Sequence, residues 1–190
     1  MSKNNDVIII GGGIVGLASG LSIMKSRPNT RLVIIEKETN VAQHQTGHNS
    51  GVIHSGLYYK PHSLKALNCI AGYHQLINFC QEHSIPYEIC GKIVVATTVS
   101  ELAVLDKLYH RGLANGLKGL KLLCPREIQE IEPYCNGIRG LFVPQTGIVD
   151  YSMVANKYAE LLMNMGVEIF FGEKIIDIKN HYNRVEAISN

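Results

Sequence analysis

No CxxC pair, no cluster of basic side chains and no internal repeat or low-complexity tract occurs in this 190-residue chain. Nor does any apolar run approach the roughly 18 residues that a membrane span needs. Each absence excludes a class of protein. Five cysteines (Cys69, Cys80, Cys90, Cys124 and Cys135) are an odd number at irregular spacing, so a disulfide framework is not expected. Cys80 and His83 stand at a spacing that zinc ligands use. With no second pair nearby they read as helix residues, and no metal site is expected. The charge of +2 and pI near 8.2 come from scattered lysines and arginines, which argues against a nucleic-acid partner. The opening MSKNND is polar and runs straight into a strand, so no cleavable signal is expected. A soluble protein of a reducing compartment, the cytoplasm, is the reading. With 46% hydrophobic residues the chain can bury a real core.

What is present begins at Asp6. The run DVIII is a continuous β-branched stretch, suited to a strand buried on both faces of a parallel sheet. It leads into Gly11-Gly12-Gly13-Ile14-Val15-Gly16, a GxGxxG. Ile14, Leu17, Ala18 and Leu21 then recur at helical spacing. Arg27 to Thr30 break that helix, and Arg31 to Ile35 predict a second strand ending at Glu36, at the ~20-residue distance typical of a ribose-binding acid. In this arrangement Gly11 permits the tight turn, Gly13 lets a diphosphate approach the backbone, and Gly16 lets the helix pack on the strand. The helix N-terminus offers N–H groups and a positive dipole end to phosphates. Glu36 can accept hydrogen bonds from both ribose hydroxyls and would repel a 2′-phosphate. A dinucleotide other than NADP is therefore expected.

FAD and NAD share this fingerprint, so the distinction rests on the residues beyond Glu36. Lys37 to Ser63 is a polar, glycine-rich passage without periodicity, and loops of that length are usually functional. Gly47, Gly51 and Gly56 allow close backbone approach, and Thr46, Asn49 and Ser50 carry small hydrogen-bonding groups. A flavin needs such a lining beyond the adenosine half.

The run AQHQTGHNSGVIHSGLYYKPHSLKA (Ala42–Ala66), together with IIIGGGIVGLASG (Ile8–Gly20), resembles the FAD-dependent L-2-hydroxyglutarate dehydrogenases, or oxidases. These belong to the D-amino-acid-oxidase-like flavoprotein superfamily. CGKIVVAT and EPYCNGIRGLFVPQTGIVDY (Glu132–Tyr151) resemble them as well, so the likeness spans the whole chain. The glycine fingerprint is common to many families; HNSGVIHSGLYY is far more specific.

The resemblance implies FAD as cofactor and oxidation of L-2-hydroxyglutarate to 2-oxoglutarate. Hydride passes from substrate C2 to flavin N5, and electrons go onward to a quinone or oxygen. Gly11, Gly13, Gly16, Glu36, Lys37, His44, Thr46, Asn49, Ser50 and Gly51 are the candidate cofactor contacts. His54, placed by the resemblance in the flavin-facing block, is the candidate base that takes the hydroxyl proton, a role suited to a neutral imidazole. A structural histidine bonding the loop backbone is the alternative. His48 is a further cofactor-side or loop-ordering candidate. Tyr58, Tyr59, Lys60 and Lys65 are the substrate candidates; the dicarboxylate's cationic partner could also lie on chain that family members carry beyond this length.

The implied fold is α/β. A Rossmann-type FAD-binding domain (1–86 and 150–190, incomplete) is interleaved with part of a mixed-sheet substrate domain (87–149), truncated at its C-terminal end. The expected elements are a helix over 63–83 with Leu64, Leu67, Ile70, Ala71, Ile77 and Cys80 in the core, and strands over 87–90 and 92–98 joined at Gly91. A helix capped by Ser100, a short helix over 125–131 and a strand over 140–143 come next. Asp150 is read as the cap of a helix over 151–165. A third parallel strand over 167–171 and a hairpin over 174–188 complete the set.

Family members carry about as much chain again, so the isolated chain is expected to act as an inactive fragment whose partner is the missing half. The rival readings are a superfamily enzyme for glycerol 3-phosphate or an amino acid, and a non-catalytic nucleotide-binding remnant. Contact with the inner face of the cytoplasmic membrane would be peripheral at most.

Overall fold

A computed structural model describes residues 5–190; the polar lead-in at residues 1–4 lies outside them. The chain runs β1 (Val7–Ile10), α1 (Ile14–Ser26), β2 (Leu32–Glu36), β3 (Val52–Ile53), α2 (Leu64–Glu82), β4 (Tyr87–Glu88) and β5 (Lys92–Ala96). It continues through α3 (Val99–Ala114), β6 (Lys121–Leu123), α4 (Pro125–Ile131), β7 (Arg139–Val143), β8 (Gly147–Val149) and α5 (Tyr151–Asn164). β9 (Glu168–Phe171), β10 (Ile175–His181) and β11 (Arg184–Ser189) close it. Two compact units result: Met1–Ser50 with Asp150–Asn190, and Gly51–Val149.

The first unit is a parallel β1-β2-β9 sheet. Val7 to Ile10 pair with Leu32 to Ile35 in register, and Val33 to Glu36 pair with Glu168 to Phe171. The helical run after the glycines buries Leu17, Gly20, Leu21 and Met24, one face of α1 at 3.6-residue spacing. α5 buries Val154, Ala155, Ala159 and Leu162. Gly20 has no side chain to hold off Leu162, whose methyls lie 3.3–3.4 Å from where a Cβ would stand. Leu17, Ile34 and Leu162 are fully buried in the shared core, each burial stabilising by roughly 1.5–3 kcal/mol. Asp150 caps α5 as expected, accepting from the Ser152 N–H at 2.8 Å. β10 and β11 form the expected antiparallel hairpin.

The second unit holds two three-stranded sheets, β3-β8-β4 and β5-β7-β6, all antiparallel. Leu57, Ala96, Leu105, Leu117, Leu141 and Val143 form its core. Three expectations are revised here. Residues 51–86, expected to pack with the nucleotide-binding part, fall in this unit because β3 and β4 both pair with β8. The strands on either side of Gly91 form as expected but are shorter, Tyr87–Glu88 and Lys92–Ala96, and they pair with different partners, β4 with β8 and β5 with β7. α3 begins earlier than the Ser100 cap implied, with Thr98 as its cap. The Glu101 carboxylate accepts from the Thr97 and Thr98 N–H groups at 2.7 and 3.2 Å. Finally, only Ala66 and Cys80 of α2 are buried, whereas Leu64 and Leu67 are 78% and 53% exposed. The stripe read as core therefore faces outward at the start of the helix.

Candidate functional site

The turn between β1 and α1 forms as the glycines require. Gly11 has φ +105°, a conformation that costs a Cβ-bearing residue dearly, and its N–H donates to Ile35 O at 2.8 Å. A Cβ on Gly16 would overlap the Gly11 carbonyl oxygen, so only glycine lets α1 start this close to the strand. Gly13 is the helix cap and has no side chain to offer. The Thr46 hydroxyl fills that role from the loop after β2, accepting from the Ile14 N–H at 3.0 Å. The loop is tied again by the Ala42 N–H to Gly12 O, 3.2 Å. The passage after β2 thus begins beside the N-terminal end of α1.

Glu36 is only 7% exposed. Its Oε2 accepts from the Gly12 N–H at 2.6 Å and its Oε1 from the Glu38 N–H at 2.9 Å. A carboxylate has about four acceptor positions, so capacity for a ribose diol remains. The first turn of α1 contains no acidic side chain, leaving its positive dipole end open to an anion. The residues present therefore fit the adenosine diphosphate portion of FAD.

His44, His48 and Asn49 order the loop. His44 Nε2 lies 2.8 Å from Glu38 Oε1, and the imidazole's hydrogen bond holds the Glu38 carboxyl below its usual range. His48 Nδ1 lies 3.0 Å from His44 O, and Asn49 Nδ2 donates to Thr46 O at 2.6 Å. Lys37 is on the surface, 3.6 Å from Glu38, and Ser50 is exposed.

The second unit contains the other half of the HNSGVIHSGLYY motif. Gly51 O accepts from the Val149 N–H at 2.9 Å, starting the pairing that leads to His54. A cavity of about 70 Å³ is lined by His54, Ser55, Gly56, Leu57, Tyr58, Tyr59 and Lys92. The Lys92 ammonium sits 4.3 Å from the centre of the Tyr58 ring. His54 is exposed as a residue, yet partial desolvation of its ring, with the Lys92 charge second, pushes its pKa below the ordinary imidazole value. The ring is thereby kept neutral at physiological pH. Lys60 and Lys65 are exposed and do not line the cavity.

Sequence reasoning missed the groups that hold this loop. Asn115, at the end of α3, donates through Nδ2 to both Gly56 O and Tyr59 O at 2.9 Å. Arg111 donates to Tyr58 O at 2.9 Å, and the Cys69 thiol to His54 O at 3.4 Å. An Arg and an Asn at the end of a helix look like ordinary capping residues, and nothing local links them to a loop more than fifty positions earlier. Lys92 had one visible sign, a charge opening an otherwise apolar strand.

Comparison with known proteins agrees with this geometry. The profile described as FAD dependent oxidoreductase matches residues 6–190. The chain belongs to that family of flavin enzymes. It is 57% identical over 173 residues to L-2-hydroxyglutarate dehydrogenase of Indibacter alkaliphilus, covering 91% of this chain and 43% of that protein. The mitochondrial L-2-hydroxyglutarate dehydrogenase of Homo sapiens is 48% identical over 161 residues, 85% of this chain and 35% of its own length. Among solved structures, the FAD-bound L-α-glycerophosphate oxidase of Mycoplasma pneumoniae superposes with TM-score 0.88 at 26% identity, over all of this chain and 50% of that one. The chain thus spans less than half the length of these curated relatives. No described helix is long and apolar enough to cross a membrane.

Proposed function

We propose that this chain forms the FAD-binding and part of the substrate-binding region of an enzyme that oxidises L-2-hydroxyglutarate to 2-oxoglutarate. The single observation behind this reading is the 57% identity to an L-2-hydroxyglutarate dehydrogenase over 91% of the chain. The first unit takes the adenosine diphosphate of FAD at Gly11, Gly13 and the start of α1, with Glu36 on the ribose. Thr46 and Asn49 keep the loop after β2 in place. FAD supplies the two-electron acceptor for the hydrogen on substrate C2. His54 takes the proton of the C2 hydroxyl at a ring nitrogen, a transfer its neutral state permits. Tyr58 and Tyr59 bound the substrate and exclude water from it. Electrons leave to a quinone at the inner face of the cytoplasmic membrane or to oxygen, and the protein itself resides in the cytoplasm.

The test is anaerobic mixing of the flavin-loaded, full-length protein with a panel of substrates. L-2-hydroxyglutarate should bleach the visible flavin band, while glycerol 3-phosphate and glycine should not. Bleaching by glycerol 3-phosphate alone would reassign the substrate, and no bleaching by any of them would favour a non-catalytic role. A colourless protein that binds NADH would overturn the flavin assignment itself. His54→Gln should slow reduction about 10²–10⁴-fold with FAD still bound. The 190-residue chain alone should hold FAD weakly and turn over little; turnover at the rate of the intact enzyme would contradict this.

A further inference from the structure

A dicarboxylate substrate needs a cation, and the lysines nearest the motif in sequence do not line the cavity that contains His54. Lys92 does. It opens β5, where register with Val143 of β7 fixes its backbone, and the carbon chain reaches across so that the ammonium rests on the Tyr58 ring at 4.3 Å. The residue is half-buried, and the described ion pairs do not include it. A lysine without a carboxylate partner in a partly desolvated cavity is an anion site in waiting. Stacking on an aromatic face holds such a charge in position without neutralising it.

Resting on the function proposed above, we propose that Lys92 binds a carboxylate of the substrate and sets the preference for an acidic 2-hydroxy acid. The cavity of about 70 Å³ has room for one carboxylate and the carbon beside it. That end of the substrate would then lie among His54, Tyr58 and Tyr59. Lys92 also acts on the base. Its charge adds to the desolvation that lowers the His54 pKa, so carboxylate binding offsets the ammonium and raises the basicity of His54 as substrate arrives. The other titratable groups close to the ring are the phenols of Tyr58 and Tyr59 and the Cys69 thiol, which donates to His54 O. Burial raises the thiol pKa, so it stays protonated at neutral pH. The Arg111 guanidinium is also on this loop, held on Tyr58 O, but the charge that acts on the His54 ring is that of Lys92.

The experiment uses the flavin-loaded, full-length protein and three variants: Lys92→Met, Lys92→Arg and Tyr58→Leu. Binding of glutarate, which has both carboxylates and no oxidisable hydroxyl, is followed by perturbation of the flavin spectrum. Lys92→Met should weaken glutarate about ten- to a hundredfold, the loss expected when a charge-assisted hydrogen bond is removed. It should raise KM for L-2-hydroxyglutarate by a similar factor. The acidic limb of its kcat/KM profile should move to higher pH, because the charge that depresses the His54 pKa is gone. Lys92→Arg should recover most of the binding, and Tyr58→Leu should weaken it less than Lys92→Met does.

Glutarate binding unchanged in Lys92→Met, or absent from the wild-type protein, would overturn the proposal. So would a loss in Lys92→Met that Lys92→Arg fails to restore, since that marks a packing role. Loss of glutarate binding in Lys92→Met together with flavin reduction by a different acidic 2-hydroxy acid would support Lys92 and correct only the substrate named above.

Discussion

The two units make their sheets in opposite ways. In the first, β1 and β2 are joined by one helix and pair in parallel along four residues each, with every side chain of β2 buried or half-buried. In the second, β3, β4 and β8 are two to three residues long, and β8 draws together partners from near residue 52 and residue 87. The first unit is built on a local βαβ crossover whose glycines are sterically obligatory, and β9 is added to its sheet from far along the chain. The second is held by pairings between distant segments and by side chains such as Asn115 that stitch loops to a helix. Changes to backbone shape should therefore be most damaging in the first unit, and changes to single polar side chains most damaging to the site in the second.

The largest effect should come from Gly16→Ala. Its Cβ would overlap the Gly11 carbonyl oxygen, so α1 must shift away from the strand, at a cost of about 2–4 kcal/mol. Urea unfolding should show the loss, and FAD retention should fall with it. Asn115→Ala comes next. It removes donors from Gly56 O and Tyr59 O, costing roughly 1–3 kcal/mol and lowering kcat more than FAD affinity; an unchanged kcat would show that the loop holds its shape without the amide. Gly72→Ala sharpens the contrast. This glycine lies in mid-helix α2 with nothing within 4 Å of its Cβ position, so the same substitution should stabilise by about 0.5–1 kcal/mol.

The smallest effect is acid-dependent. Asp6 makes a two-pronged contact with Arg31, 2.7 and 3.2 Å. These hydrogen bonds lower its pKa to about 2, below the unfolded value of roughly 3.9. Because the folded pKa is depressed, the contribution is complete above the unfolded value and fades as pH falls toward 2. Asp6→Asn should remove that dependence, and superimposable acid-unfolding curves for the two proteins would contradict it.

The same contrast governs how much could be read from the residues alone. β1, α1, β2, α5 and β9 stood out because their periodicity is local and their boundaries carry glycine, proline or a capping Asp150. Glu36 and Thr46 could be singled out, Glu36 because the fingerprint prescribes an acid at that distance and Thr46 because it is a small hydrogen-bonding residue in the glycine-rich passage beyond it. The concealed part is non-local. A two-residue strand such as β3 has no period to detect, and its identity depends on β8 lying opposite. The outward-facing Leu64 and Leu67 look like core residues because helical spacing says which side chains share a face, not whether anything covers that face. Lys92 joins the candidate site through the fold of β5, so the nearer Lys60 and Lys65 took its place in the reading.

β2 completes its hydrogen bonding only when Val33 to Glu36 meet Glu168 to Phe171. A nascent chain emerging from the ribosome therefore holds a strongly apolar central strand with one edge unsatisfied until nearly all of these residues have been made. Pairing across so long a span is slow, and an open Val/Ile edge invites association with other chains meanwhile. Yield in a cell should accordingly depend on chaperone supply and growth temperature more steeply than the stability of the finished protein suggests.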